Sequence, residues 1–139
     1  FAASANCALY CEAKPVFVDI DENTYNINPE KIEKAITKKT KAIIVVHLYG
    51  NPANLSELVK ICEKKKIFLI EDCAQAHGAR YNNKHIGTFG IAGCFSFYPS
   101  KNMTVCGEGG MIITNNNDIA KKARMMAHHG EDERFNHVI

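Results

Sequence analysis

Apolar runs of β type alternate along the chain with segments whose apolar residues recur at helical spacing. Ala5, Ala8 and Leu9 have that spacing near the start, and Pro15–Asp19 reads as a strand closed by the acidic turn Asp19 to Asn23. Asn28-Pro29 is a helix start, with Asn as cap and Pro at the first helical position, leading to Ile32, Ala35 and Ile36 on one face. Ala42–Val46 is a continuous apolar run, which predicts a strand buried on both faces of a parallel sheet and broken at Gly50 to Pro52. Asn54-Leu55-Ser56-Glu57 resembles a capping box, and Leu55, Leu58, Val59 and Cys62 follow at i, i+3, i+4 and i+7, predicting a helix to about Lys64. Ile67–Ile70 is the next buried strand, ending in Glu71-Asp72. Gly93–Phe97 and Met111–Thr114 are two more, and Ile119, Ala123 and Met126 mark a last helix to about His128.

This order implies βαβ crossovers, hence an α/β fold with a mostly parallel sheet and helices on both faces. Ligands of such sheets bind beyond the carboxyl ends of the strands, where Asp72 and Ser96 fall. The 139 residues carry 46% apolar and 23% charged side chains and a net charge of +2, an ordinary globular balance that calls for no nucleic-acid partner. No apolar stretch approaches the ~20 residues of a membrane helix, so no membrane is expected and the chain reads as cytoplasmic. Six cysteines at positions 7, 11, 62, 73, 94 and 106 sit mostly in strand-like or helix-like segments and predict reduced, mostly buried thiols. Cys7 and Cys11 lack the paired spacing of a zinc site, and no metal is assigned. Phe1 opens the chain without an initiator Met and Ile139 closes it without a polar tail, so a piece of a longer protein is expected.

A carboxylate directly after a buried strand is expensive unless it meets a positive partner. Asp72 reads either as a helix cap for the residues from Cys73 onward or as a carboxylate facing a cationic ligand, with Gln75 and His77 near that ligand or on a turn. Lys101 follows a strand that Pro99 must terminate, and Gly107–Gly110 lies close behind, where glycines let backbone approach a ligand. Gly87, Gly90 and Gly93 are spaced G-x-x-G-x-x-G before a strand, which is not a dinucleotide fingerprint. Lys64 to Lys66 and the pair His128-His129 are cations at helix ends.

Five segments in order resemble one family across nearly the whole chain: Pro15–Asp21 (PVFVDID), Val46–Pro52 (VHLYGNP), Glu71–Ala79 (EDCAQAHGA), Phe95–Asn102 (FSFYPSKN) and Gly107–Gly110 (GEGG). They are similar to the DegT/DnrJ/EryC1/StrS sugar aminotransferases. The resemblance implies a partial large domain of the fold type I architecture of pyridoxal 5′-phosphate (PLP) enzymes, spanning 1–139. The N-terminal phosphate-binding segment and the C-terminal small domain would lie outside it, and the full-length enzyme would be a homodimer. It implies that Lys101 binds PLP covalently and carries the proton at the substrate carbon, as a partly desolvated amine can. Asp72 would pair with the pyridine nitrogen, Ala74 would lie against a ring face, and Gln75 would approach the phenolic oxygen. Ser96 would bond the phosphate, and Phe1 would stack on the other ring face. Cys73 departs from the usual alanine and is given no role; Glu108 and His47 are given none either.

The implied activity is amino transfer, with L-glutamate as donor, to a nucleotide-linked ketosugar. The related sugar dehydratases carry His in place of the lysine, so Lys101 argues against that branch. A non-catalytic sugar-binding or regulatory homologue, or a gene fragment, is the reading from another class.

Overall fold

The structure, a computed structural model, describes residues 1–133 and 136–138; the closing Ile139 lies outside the described residues. Among the described residues four α-helices are formed, α1 (Ala2–Tyr10), α2 (Pro29–Ala35), α3 (Leu55–Lys65) and α4 (Asn117–Ala127). The strands are β1 (Ala42–Val46), β2 (Phe68–Asp72), β3 (Arg80–Tyr81), β4 (Lys84–His85), β5 (Ala92–Ser96), β6 (Gly110–Ile113), β7 (Glu131–Glu133) and β8 (Asn136–His137). The main sheet runs β1-β2-β5-β6, parallel except for β6, which returns antiparallel beside β5. The α/β expectation and its mostly parallel sheet therefore hold.

The caps read from the sequence are made. Asn28 Oδ1 accepts the Glu30 N–H at 2.9 Å, and Asn54 Oδ1 accepts the Glu57 N–H at 3.3 Å. Helix α3 buries Leu55, Leu58, Ile61 and Cys62 against a core that includes Ile43, Val45 and Leu69. Each such aliphatic side chain contributes about 1.5–3 kcal/mol through the water-exposed area it loses. Among the described residues no helix is long and apolar enough to cross a membrane.

Four expectations are corrected. Residues 15–19 form no strand: Val16 and Phe17 stay exposed, and the nearest pairing is an isolated antiparallel bridge between Ile20 and Ile27. Extended chain becomes a strand only where a neighbour accepts its ladder, and the described residues offer none there. Strand β1 alternates between buried and half-buried positions instead of being sealed on both faces. Glu71 and Asp72 lie inside β2 rather than after it. The six cysteines are free, but Cys7, Cys11 and Cys106 are exposed, because α1 buries none of its residues and Cys106 sits on a loop.

The placement of Glu71 and Asp72 inside a strand decides their roles, since successive side chains of a strand point to opposite faces. Leu69 and Glu71 are buried on the face that packs against α3, whereas Ile70 and Asp72 face the other way, toward α1.

Candidate functional site

Glu71 is fully buried and accepts four hydrogen bonds. Its Oε2 takes the Gly87 N–H at 2.6 Å and His47 Nε2 at 3.1 Å, and its Oε1 takes the N–H groups of Phe89 and Gly90, both at 2.7 Å. Burial pushes the Glu71 carboxyl up, but the bonds from His47, Gly90, Gly87 and Phe89 together outweigh it and hold the group below its ordinary value. His47 Nδ1 accepts the Ala53 N–H at 3.1 Å. A backbone N–H can only donate, so Nε2 carries the proton of His47 and donates it to Glu71; the pair is a neutral imidazole on a carboxylate.

The glycine-spaced segment before β5 is thus a collar around a buried anion. Its glycines serve close approach: a Cβ at Gly90 would overlap the Leu69 carbonyl, and one at Gly93 would overlap Gly87. Ligand atoms of His47, Glu71 and Cys73 lie within 4.8 Å of one another. Those of His47 and Glu71 are consumed by the bonds just described. Burial, with help from Glu71, Asp72 and Cys94, pushes the Cys73 thiol far up, so it stays protonated.

On the opposite face the Asp72 carboxylate is oriented from two sides. Its Oδ2 accepts the Ser4 hydroxyl at 2.6 Å, and its Oδ1 accepts the Ala74 N–H at 3.1 Å. No helix follows Asp72 directly, so the helix-cap reading is corrected: its bond to the Ala74 N–H closes a turn, and one lone-pair direction on each oxygen remains for a ligand. Gln75 Oε1 accepts the N–H of Tyr49 at 3.0 Å, which leaves the Gln75 NH₂ as a donor on the other side. Tyr49 holds φ +54° within the turn Leu48–Gly50, a left-handed conformation rare for an aromatic residue.

Gln75 and Lys101 line one cavity of about 320 Å³, together with Tyr49, Ser100 and Asn102. Lys101 is half-buried, and its Nζ stands 5.8 Å from the centroid of the Phe1 ring, within cation–π reach. The ring itself is 99% exposed and free to cover a flat ligand. Phe1 and Ser4 belong to one helical turn, closed by the Ser4 N–H on the Phe1 carbonyl at 3.2 Å. That single turn therefore touches Lys101 through Phe1 and Asp72 through Ser4. Ser96, at the end of β5, accepts the Tyr98 N–H at 3.3 Å and does not line the cavity.

The sequence reading missed Ser4 and Asn102. Nothing local marks Ser4, since its partner lies 68 positions away, whereas Asn102 could have been noted as the neighbour of Lys101. His47, left without a role, is the structural partner of Glu71.

An amine, a carboxylate, an amide donor and an open aromatic face are the groups that would meet an aldehyde, a ring nitrogen, a phenolic oxygen and a flat ring. The donor set fits PLP.

Comparison with known proteins agrees. The profile of the DegT/DnrJ/EryC1/StrS aminotransferase family matches residues 1–139. The chain is 47% identical to the pleiotropic regulatory protein of Geobacillus stearothermophilus, covering all of this chain and 37% of that protein. It is 46% identical to the UDP-N-acetyl-3-dehydro-alpha-D-glucosamine 3-aminotransferase of Acidithiobacillus ferrooxidans, covering all of this chain and 38% of that enzyme. Among solved structures, NtdA of Bacillus subtilis with bound cofactor PMP superposes with a TM-score of 0.93 at 37% identity, over all of this chain and 32% of that one. The chain thus spans little more than a third of the length of these curated relatives.

Proposed function

We propose, from the premise that this chain belongs to the DegT/DnrJ/EryC1/StrS aminotransferase family, that the whole protein transfers an amino group to the keto carbon of a nucleotide-linked sugar. PLP would be its cofactor and L-glutamate its donor. The observation that carries this reading is the convergence of Lys101 and Gln75 on one cavity, with one turn of α1 joining Lys101 to Asp72. The family relationship, a relative named as a 3-aminotransferase of a UDP-linked dehydro-sugar and the PMP-bound NtdA support it further.

When bound, the cofactor supplies a reactive aldehyde and an electron-accepting ring. Asp72 would hold its ring nitrogen with a carboxylate whose orientation Ser4 and Ala74 already fix. The NH₂ of Gln75 would donate to the phenolic oxygen, Phe1 and the small Ala74 would cover the ring faces, and the Ser96 hydroxyl would meet the phosphate. The remaining phosphate contacts belong to parts of the whole protein beyond this large-domain piece. Lys101 Nζ would anchor the cofactor, then take and return the proton at the substrate carbon.

The 47% likeness to a protein named as a regulator favours a second reading, a regulatory homologue without turnover. One experiment separates the two. The whole protein is supplied with glutamate and then a panel of nucleotide-linked ketosugars, while 2-oxoglutarate and amino sugar are quantified. Wild type should turn over and Lys101→Ala should not; equal product from both removes Lys101 from its role, and no product from either favours the regulator.

A further inference from the structure

His77 lies outside the machinery just assigned, yet its ring is held more tightly than a turn residue requires. It packs over Phe95 at 5.5 Å and Phe97 at 5.6 Å between ring centroids, and its Nδ1 bonds Asn102 Oδ1 at 3.0 Å. An amide oxygen only accepts, so Nδ1 carries the proton and Nε2 is a bare acceptor. That Nε2 is buried and has no partner among the described residues. A residue present for packing alone would be better served by phenylalanine, which fills the same aromatic slot without stranding a polar atom. What the imidazole adds is the bond to Asn102, 25 positions away and adjacent to Lys101.

We propose that His77 is a positioning residue: through Asn102 it pins the turn that carries Lys101 onto the Phe95 and Phe97 rings of the sheet. The loop runs from β5 to its antiparallel neighbour β6 and is closed at its base by the Phe97 carbonyl, which accepts the Val105 N–H at 3.1 Å and the Thr104 hydroxyl at 3.2 Å; its tip is otherwise held by the Lys101 N–H on the Tyr98 carbonyl at 2.9 Å. Without the pin the tip around Lys101 and Asn102, above that anchored base, gains freedom to move toward solvent and take Lys101 out of its half-buried place beside the cavity. The role matters for catalysis on the reading of Lys101 given above, but the tether itself is measurable without cofactor or turnover.

The whole enzyme is stripped of cofactor and exposed to an amine-acetylating succinimidyl ester at fixed pH. Acetylation of Lys101 is followed by peptide mass spectrometry and normalised to the exposed Lys60 on α3. His77→Phe should raise the normalised Lys101 rate at least threefold while leaving the melting temperature equal or higher. His77→Asn, which can keep a donor at the Nδ1 position, should stay within twofold of wild type. Asn102→Leu should match His77→Phe, and the double variant should add nothing further. An unchanged Lys101 rate in His77→Phe, no rescue by Asn, or additive effects in the double variant would each overturn the tether. If His77→Phe does not fold, the comparison of Asn102→Leu with Asn102→Asp, which keeps an acceptor oxygen, decides in the same way. Borohydride reduction of wild type loaded with PLP tests the other premise separately: adduct on a different lysine defeats the reading of Lys101 while leaving the labelling ratios to judge the pin.

Discussion

Replacing Glu71 with Gln is the sharpest test of the buried collar, because it changes one oxygen to NH₂ and almost no volume. If the amide oxygen keeps the Phe89 and Gly90 N–H groups, the new NH₂ faces the Gly87 N–H and the proton on His47 Nε2, donor against donor. His47 cannot answer by moving its proton, since Nδ1 already accepts from Ala53. Two buried donors lose their acceptor at about 1–3 kcal/mol each, consistent with the about 3–5 kcal/mol typical of breaking a buried charged contact. In native-state hydrogen exchange of the whole protein, the Gly87, Phe89 and Gly90 amides should lose protection by about 10²-fold or more, at about 1.4 kcal/mol per factor of ten. The acid dependence should change as well. Glu71 has a folded value below its unfolded one of about 4.3, so its contribution is fully present above that pH and drains away as pH falls through the lower folded value. Glu71→Gln should lack this part of the acid-induced loss. Wild-type protection of the three amides in the variant would show that the carboxylate does not hold the collar.

Other outcomes follow from the same geometry. Gly90→Ala, whose Cβ would meet the Leu69 carbonyl, should destabilise the fold by about 1–3 kcal/mol by urea unfolding, and a neutral result would mean that β2 and the collar can separate freely. Residues 1–139 alone, mixed with PLP, should show no stable lysine-linked absorbance; a tight adduct on Lys101 would mean that the cofactor needs no further contacts. Cys62, pushed up to about 11 by burial and then by Glu63, and Cys73, pushed higher still, should resist alkylation at neutral pH under native conditions. Rapid labelling of either would place them at the surface.

Helix starts were legible because Asn28 and Asn54 act on their own next residues, and α3 was legible because its apolar face repeats within eleven positions. The strands β1, β2 and β5 were legible as apolar runs. The chemistry of Glu71 against Asp72 was not, since adjacent carboxylates look alike until the pleat sends one to the core and the other to α1. The spacing of Gly87, Gly90 and Gly93 told only against a dinucleotide fingerprint; that Gly87 and Gly90 bring their N–H groups to a carboxylate sixteen and nineteen positions earlier needs the assembled sheet. The two-residue hairpin turn Asn82-Asn83, with both φ positive, was in principle readable from its asparagines and was missed.

The bond from Ser4 to Asp72 spans 68 positions, the longest side-chain bridge among the described residues, and joins α1 to the end of β2. Such closure is entropically costly, since nearer pairings cost less chain freedom. A molecule that binds the Asp72 carboxylate as this bridge orients it therefore has no counterpart to grip in the unfolded ensemble. Its whole affinity is added to the native state by mass action, so occupancy and longevity of the protein in the cell rise together.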